Sequence, residues 1–115
     1  MANYKDGVIR DGSILGSGTV LGNVKGGVIR GGSSTPGSGT VVGNVKDGVI
    51  REGSSTPGSG SVILNVKDGT VRKGSSTPGS GTVIGKVAQF AIKGMEREMD
   101  ATIVAAYHFL VKKIA

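Results

Sequence analysis

Residues 44–64 read NVKDGVIREGSSTPGSGSVIL, and this phrase decides the fold because it recurs along the chain. Close copies begin at Asn23 and Asn65, which gives a repeat of about 21 residues, and a copy one residue shorter occupies residues 3–22. Repetition at such a period indicates a unit that cannot bury its own apolar face and packs against neighbouring copies. The sequence therefore predicts a repeat protein, and it says more about architecture than about activity.

The dipeptide Asp47-Gly48 lies between two short runs that are rich in β-branched residues. A type I′ hairpin turn needs positive φ at both central positions, which Asp-Gly tolerates, so the pattern predicts a tight hairpin. A two-residue loop also sets the register of the two strands. The predicted pairs are Lys46–Val49, Val45–Ile50 and Asn44–Arg51.

Alternation of side chains along the strands predicts a core face with Val41, Val45 and Ile50, and an outer face with the polar residues of the hairpin. Glycines also fall on the core face in mid-strand, at positions 22, 43 and 85, whereas the third copy has Leu64 there. A glycine in mid-strand indicates a close approach of another element. We therefore expect a further part of the chain to pack against these glycines.

The segment GSSTPGSG, at residues 53–60 and in two equivalent places, is a loop by composition because proline and glycine are poor in a sheet ladder. After the last full copy, residues 86–94 resemble a degenerate unit in which the turn signal has become Gln89-Phe90. They predict a fifth hairpin, with a helix from Val87 onward as the alternative.

The period changes to three and four residues between Met95 and Ile114, which predicts an α-helix. Residues 101–111 are apolar nearly all round, so one face cannot bury them. The segment is shorter than the ~20 apolar residues that a membrane span needs. We expect this helix to pack on the glycine-marked face of the sheet and also against another subunit.

These elements predict one domain over residues 1–115, with hairpins in residues 1–94 and the helix in residues 95–115. An open sheet of this length would expose two edges, which favours closure. The predicted fold class is mainly β: four to five antiparallel β-hairpin repeats of about 21 residues in a closed or nearly closed arrangement, followed by one C-terminal α-helix.

The repeats NVKDGVIREG and GTVVGNVKDG, followed by the ending VAAYHFLVKKI, resemble the tandem-hairpin proteins called four-fold beta-flower proteins. The resemblance covers residues 3–94. It implies hairpins that are related by rotation, and it implies no particular activity because that family is largely uncharacterised in function.

Composition limits the chemistry that the chain can carry. Cysteine is absent and His108 is the only histidine, which excludes disulfides, thiolate metal sites and clusters of imidazoles within one chain. We expect no metal site, no cofactor and no catalytic residues. The N-terminal residues contain no apolar signal-peptide core, so a cytoplasmic location is expected.

A basic ladder is the first candidate binding feature. The net charge is +6, and one lysine and one arginine recur in every unit. Stacked units would place them on the outer face as an anion-binding surface, or simply as a solvated face that keeps the sheet soluble. Nucleic acid is not expected as a partner, because the repeats lack stacking aromatics. The predicted anion-binding residues are Lys25, Arg30, Lys46, Arg51, Lys67 and Arg72.

The helix is the second candidate, as an interface between copies of the chain. Its predicted contact residues are Ile103, Tyr107, His108, Leu110, Val111 and Ile114.

Two functions therefore remain open. The first is a non-enzymatic structural or interaction module that self-associates through the helix into a homo-oligomer. The alternative is a module that binds an anionic polymer or glycan through the Lys/Arg ladder.

Overall fold

The structure is a computed structural model, and it describes residues 2–115. These residues form one antiparallel sheet of nine strands in which each strand pairs with its neighbours in sequence. The mainly β fold class with hairpin repeats is thereby confirmed. The strands are β1 (Ala2–Lys5), β2 (Val8–Asp11), β3 (Thr19–Lys25), β4 (Val28–Gly31), β5 (Thr40–Lys46), β6 (Val49–Glu52), β7 (Ser61–Lys67), β8 (Thr70–Lys73) and β9 (Thr82–Lys86).

The predicted hairpin turn and its register are confirmed. Asp47 has a φ of 53° and Gly48 a φ of 79°, as a type I′ turn requires. Strands β5 and β6 pair with Val45 opposite Ile50 and Asn44 opposite Arg51. The turn dipeptide therefore sets which residues of each unit share a face.

A β-bulge in the longer strand of each unit alters the predicted core face. Between β4 and β5, Ile29 lies opposite Gly43 and Arg30 lies opposite Val41, so Val42 is the extra residue. Val42 packs against the core, and the prediction that Val41 does so is wrong because it assumed unbroken alternation. The same shift brings Leu21, Ile63 and Ile84 to the core.

The outer face of each hairpin is covered by the loop of its own unit. Asn44 is fully buried there, and its Nδ2 donates to the carbonyl oxygens of Ser54 (3.0 Å) and Ser59 (2.9 Å). Gly58 N–H donates in turn to Asn44 Oδ1 at 3.1 Å. Each hairpin is thus one half of a two-layer unit, with the loop as the other half.

The sheet is not closed, which corrects the expected closure. The order runs from β1 to β9, and the gap between these two edge strands is bridged by residues 91–94. Tyr4 N–H donates to the Lys93 carbonyl at 2.7 Å, and Lys93 N–H donates to the Ala2 carbonyl at 3.3 Å. This contact is an isolated parallel bridge between Asn3 and Lys93.

The predicted fifth hairpin is wrong. Residues Val87–Phe90 form a 3₁₀ helix instead. The side chain of Gln89 folds back so that its Oε1 accepts the Lys86 N–H at 2.6 Å, at the end of β9. The chain therefore turns away from the sheet where the earlier units form an Asp-Gly or Gly-Gly turn.

The C-terminal helix is shorter than predicted. Helix α1 spans Asp100–Ala106 and continues as a π-helical turn over Tyr107–Val111. Met95 lies before the helix in a turn, where it is fully buried. At the other end Lys112 is extended, with φ −155° and ψ 126°. Within residues 2–115, no helix is long and apolar enough to cross a membrane.

The helix packs on the glycine-marked face of the sheet, as predicted. A side chain at Gly22 would meet Leu110, and one at Gly43 would overlap the ring of Phe109. At Gly85 the neighbours are Gln89 and Phe90 of the 3₁₀ helix instead. The core between the sheet and the helix contains, among others, Ile9, Ile29, Ile50, Leu64, Val71, Met95 and Val104, all fully buried.

Candidate functional site

The basic ladder occupies equivalent positions in successive units. Its lysines, Lys25, Lys46 and Lys67, are exposed, whereas its arginines, Arg30, Arg51 and Arg72, are half-buried. Equivalent strands are two positions apart in the sheet, and strands lie about 4.8 Å apart, so successive rungs are roughly 10 Å apart along the sheet. The sequence-predicted residues are therefore brought together as a row with a regular spacing.

The lysine side chains lie against the loops of their own units. A Cβ built on Gly58 would lie 3.1 Å from Lys46 Cδ and 3.8 Å from Lys46 Nζ. The same distance of 3.8 Å separates Lys25 Nζ from a Cβ built on Gly37, and Lys67 Nζ from a Cβ built on Gly79. The ammonium groups thus take the same position in each unit, and the alkyl stems are held along backbone that has no side chain.

A cleft separates the loop of the third unit from that of the fourth, and we call it the inter-loop cleft. It is a cavity of about 330 Å³. Lys46, Asp47 and Arg51 line it from the hairpin, and Ser76 and Pro78 line it from the following loop. The cleft therefore presents two cations and one carboxylate beside a polar loop.

The units are not identical in charge. The second unit has Gly26 where the third has Asp47, so its turn lacks that carboxylate. In the fourth unit Arg72 Nη1 donates to the Gly79 carbonyl at 2.9 Å, which holds the guanidinium against the loop. Lys25 and Arg30 therefore have no turn carboxylate beside them, whereas Arg72 is fixed on its own loop.

The last rung of the basic ladder, on the fourth hairpin, differs from the earlier ones in its surroundings. In the earlier units, the proline of the following loop lies near the turn glycine. For example, a Cβ built on Gly27 would lie 3.6 Å from Pro57 Cγ. A Cβ built on Gly69 would have no atom within 4 Å. The rung formed by Lys67 and Arg72 is therefore not covered by a following loop.

The candidate interface residues on the helix differ in how much of their surface is exposed. Ile103 and His108 are buried within the chain, with 8% and 6% of their surfaces exposed. Tyr107, Leu110 and Ile114 are half-buried, and Val111 is 36% exposed. The accessible part of the candidate interface is thus confined to the C-terminal end of the helix.

His108 holds the C-terminal residues in place. Its Nδ1 accepts the Ile114 N–H at 3.0 Å, and its ring meets that of Phe109 edge-on with centroids 4.9 Å apart. Burial lowers the pKa of His108, the charge of Lys113 lowers it further, and the Glu52 carboxylate opposes these effects. The imidazole is therefore held neutral, with Nδ1 as the acceptor.

Sequence reasoning missed the structural role of the asparagines. Asn3, Asn23, Asn44 and Asn65 are all fully buried beneath loops. Each accepts a backbone N–H from the glycine at the same place in its loop, such as Gly37 for Asn23 at 3.1 Å. The constant 14-residue separation between Asn23, Asn44 or Asn65 and that glycine is the signal that could have found this pairing.

No group of three or more His, Asp or Glu side chains that could hold a metal ion is found within residues 2–115.

The model of a family described as 6-fold beta flower protein matches residues 1–109. The beta-flower resemblance is confirmed, and the four-fold count is wrong. Only four units keep an intact turn signal. The backbone hydrogen bond that joins each unit to the turn glycine of the preceding unit nevertheless also forms after the fourth unit. Val87 N–H donates to the Gly69 carbonyl at 2.9 Å just as Val66 N–H does to Gly48. No curated protein and no solved structure matches the chain.

Proposed function

The chain belongs to the 6-fold beta flower protein family, and from that premise we propose that it is a non-enzymatic binding module that holds an anionic polymer along its basic ladder. The polymer would be a glycan or another flexible polyanion. The observation that carries this proposal is the repeated placement of one lysine and one arginine per unit, with each lysine stem held against its loop.

The preorganised lysines favour binding over mere solubility. A solvated lysine loses rotamer freedom when it binds a ligand, at a cost of up to ~2 kcal/mol. Lys46 and its equivalents already lie along the loop glycines, so part of that cost is absent. Rungs that recur roughly every 10 Å along the sheet match a polymer whose charges also recur, and each contact adds to the others through effective concentration.

The loops supply the rest of the site. Their Ser and Thr hydroxyl groups and backbone amides offer neutral hydrogen-bonding groups beside the cations, as in the cleft that contains Ser76. Such a mixture suits a polymer with both hydroxyl and anionic groups. Stacking aromatics, on which single-stranded nucleic-acid binders depend, do not occur in the inter-loop cleft among the described residues.

Heparin affinity at several salt concentrations tests the proposal. We expect Arg30→Gln with Arg51→Gln to weaken binding and to reduce the slope of log affinity against log salt, because fewer counterions are released. Lys112→Gln with Lys113→Gln is the matched control, since it removes the same charge from exposed positions at the end of the helix, on the helix side of the sheet. Equal losses in the two double variants would show that only net charge matters, and the proposal would fail.

Self-association through the helix end is the second candidate function. It is favoured by the 36% exposure of Val111 beside the half-buried Leu110 and Ile114. Light scattering tests it, with a homo-oligomer expected for the unmodified chain and a monomer for Val111→Glu. A monomeric unmodified chain at high concentration would rule it out.

A further inference from the structure

Three of the four hairpin turns are covered by the loop of the following unit. The proline of that loop lies over the turn glycine: a Cβ built on Gly7 would lie 3.0 Å from Pro36 Cγ, and one built on Gly48 would lie 3.6 Å from Pro78 Cγ. The Cβ built on Gly48 would also lie 2.9 Å from the Val66 carbonyl oxygen of the following strand. One kind of contact therefore joins the first four units to one another.

The turn of the fourth hairpin has the same backbone conformation but no such cover. Asp68 and Gly69 have φ values of 52° and 76°, close to the 53° and 79° of Asp47 and Gly48. A Cβ built on Gly69 would meet no atom of the described residues within 4 Å. The chain that follows forms the 3₁₀ helix Val87–Phe90 in place of a hairpin with its loop, so it supplies no proline to this turn.

The hairpin wall of the inter-loop cleft recurs at the fourth turn. In the cleft, this wall faces Ser76 and Pro78 of the following loop. Its charged residues are Lys46, Asp47 and Arg51, and their equivalents in the fourth unit are Lys67, Asp68 and Arg72. The fourth turn therefore presents one wall of a cleft whose other wall, a Ser-Thr-Pro loop, is missing.

Lys86 offers hydrogen-bond donors beside this open turn. It lies opposite Thr70 in the register in which Asn65 lies opposite Val49, so it occupies the position of a buried asparagine. Asn65 Nδ2 donates to two carbonyl oxygens of its loop. Lys86 Nζ donates to Thr70 Oγ1 at 2.8 Å, and an ammonium has three N–H donors. The two others can donate to backbone carbonyl oxygens of a docked loop, as the asparagine does.

We propose that the fourth turn is a docking site for a Ser-Thr-Pro-Gly loop of a partner chain, with the proline ring on Gly69 and loop carbonyl oxygens at Lys86 Nζ. The chain's own loops define this occupant, because they fill the equivalent site on three other turns.

A second copy of the chain has no free loop of this kind. Each of its three prolines lies over a turn glycine of its own. Its first loop has Leu15 in place of the proline, and Leu15 Cδ2 lies 3.0 Å from a Cβ built on Gly94. The occupant is therefore a different chain. Its loop is uncharged, so the inference goes beyond polyanion binding and does not depend on it.

Chemical-shift titration of the full chain with the peptide acetyl-GSSTPGSG-amide tests this inference. Because the free peptide loses conformational entropy when it docks, we expect a Kd on the order of 1 mM. The amides of Asp68, Gly69 and Thr70 should shift saturably, whereas that of Gly48, whose site is already filled, should not. The peptide acetyl-GSSTAGSG-amide should bind at least threefold more weakly, because alanine lacks the ring.

Two variants locate the contact. Gly69→Asn introduces a residue type that tolerates positive φ and places a side chain in the site, so it should abolish peptide binding. Gly26→Asn is the matched control, since a Cβ on this turn glycine also has no neighbour within 4 Å among the described residues, and it should leave binding unchanged. Thermal unfolding shows whether Gly69→Asn is folded. Lys86→Ala, which should weaken binding at least threefold, is the second variant if it is not.

The ladder variant Arg30→Gln with Arg51→Gln should bind the peptide as the unmodified chain does, which separates this site from the proposed polyanion site. The inference would be overturned by absent shifts at ten times the expected Kd, by equal binding of the two peptides, or by undiminished binding to a folded Gly69→Asn variant. Shifts at residues 68–70 that grow with protein concentration in the absence of peptide would assign the turn to a second copy and would also overturn it.

Discussion

A side chain at Gly43 would overlap the ring of Phe109, so the helix approaches the sheet most closely where β5 has no Cβ. The same Cβ would also lie 2.6 Å from the Arg51 carbonyl oxygen. The backbone and the ring therefore both need a glycine here. This contact anchors the helix at the middle of the sheet and explains why the apolar helix is largely buried within one chain.

Replacing Gly43 with alanine should destabilise the protein. Overpacking a core typically costs ~1–3 kcal/mol, and we expect a loss near the upper end because the Arg51 carbonyl cannot move without disturbing β6. Thermal unfolding followed by circular dichroism should show a lower Tm for Gly43→Ala, by about 10 °C.

Gly31→Ala is the matched control for this prediction. A Cβ on Gly31 would lie 3.9 Å from Val42 Cγ1, which is ordinary contact. A compatible Gly→Ala change alters the free energy of unfolding by ~1 kcal/mol or less, usually as a gain. If the two variants melted at the same temperature, the close packing of Phe109 on Gly43 would be wrong.

Replacing Asn44 with alanine should detach the third loop from its hairpin. The side chain makes hydrogen bonds with Ser54, Ser59 and Gly58, and a net loss of ~1 kcal/mol for each predicts a decrease of ~3 kcal/mol in the free energy of unfolding. Urea unfolding measures it.

Ser54→Ala serves as the control within the same loop. The Ser54 hydroxyl accepts the exposed Thr56 N–H at 3.1 Å, so its loss should change the free energy of unfolding by ~0.5 kcal/mol or less. An Asn44→Ala variant as stable as Ser54→Ala would contradict the structural role of the asparagine.

The hairpins could be predicted from the sequence because their signals are local. Asp47-Gly48 determines both the turn and the register, and the structure has the predicted pair Val45–Ile50. The mid-strand glycines also predicted the site of close packing. Both inferences rest on conformational rules that hold within a few residues.

The bulge and the buried asparagines could not be predicted in this way. An extra residue at Val42 leaves the apolar pattern intact, since Val41 and Val42 are both apolar, and only the partner strand reveals the shift. Asn44 is equally ambiguous, because an asparagine on an outer face is normally exposed until a loop covers it. Both features depend on contacts between residues that are distant in sequence.

The candidate site was predictable only in its basic part. One lysine and one arginine in each unit follow from the repeat, and the hairpin register then places them in a row. A cavity of about 430 Å³ lies beside the 3₁₀ helix and is lined in part by Ile103, which its helical spacing assigned to an interface between subunits. The 3₁₀ helix that lines this cavity with Val87 and Ala88 has no repeat signal, so the cavity could not be predicted from residues 86–94.

Acid should destabilise the protein through His108. Its pKa is lowered in the folded state, so the unfolded chain takes up the proton first as the pH falls below ~6.5. The stability that the neutral imidazole contributes is therefore present above that pH and is lost as the pH falls towards the folded-state pKa. We expect the Tm to decrease between pH 7.5 and pH ~5.5, above the range in which ordinary carboxyl groups titrate.

His108→Asn tests the origin of that pH dependence. Its Oδ1 can accept the Ile114 N–H in place of Nδ1, but the amide does not titrate. The Tm of this variant should change less over the same pH range, as measured by calorimetry. A variant that loses as much stability as the unmodified chain would assign the pH dependence to other groups.

Gln89 should protect the open edge of the sheet. Its Oε1 accepts the Lys86 N–H at 2.6 Å, at the place where a following strand would otherwise bond. An unprotected edge can pair with another chain, and Val83 on β9 is already 53% exposed. For Gln89→Ala we expect a loss of stability of ~1 kcal/mol, faster hydrogen exchange at the Lys86 amide, and more aggregation on heating.

The neighbouring amide is the internal control for that exchange measurement. Val87 N–H donates to the Gly69 carbonyl at 2.9 Å and does not involve the Gln89 side chain, so its exchange should be nearly unchanged. Gln89→Glu keeps an oxygen acceptor at the same position and should retain the protection of Lys86. If both amides exchanged faster in Gln89→Ala by the same factor, the whole end of β9 would be opening, and the role of Gln89 as the acceptor that ends the strand would be refuted.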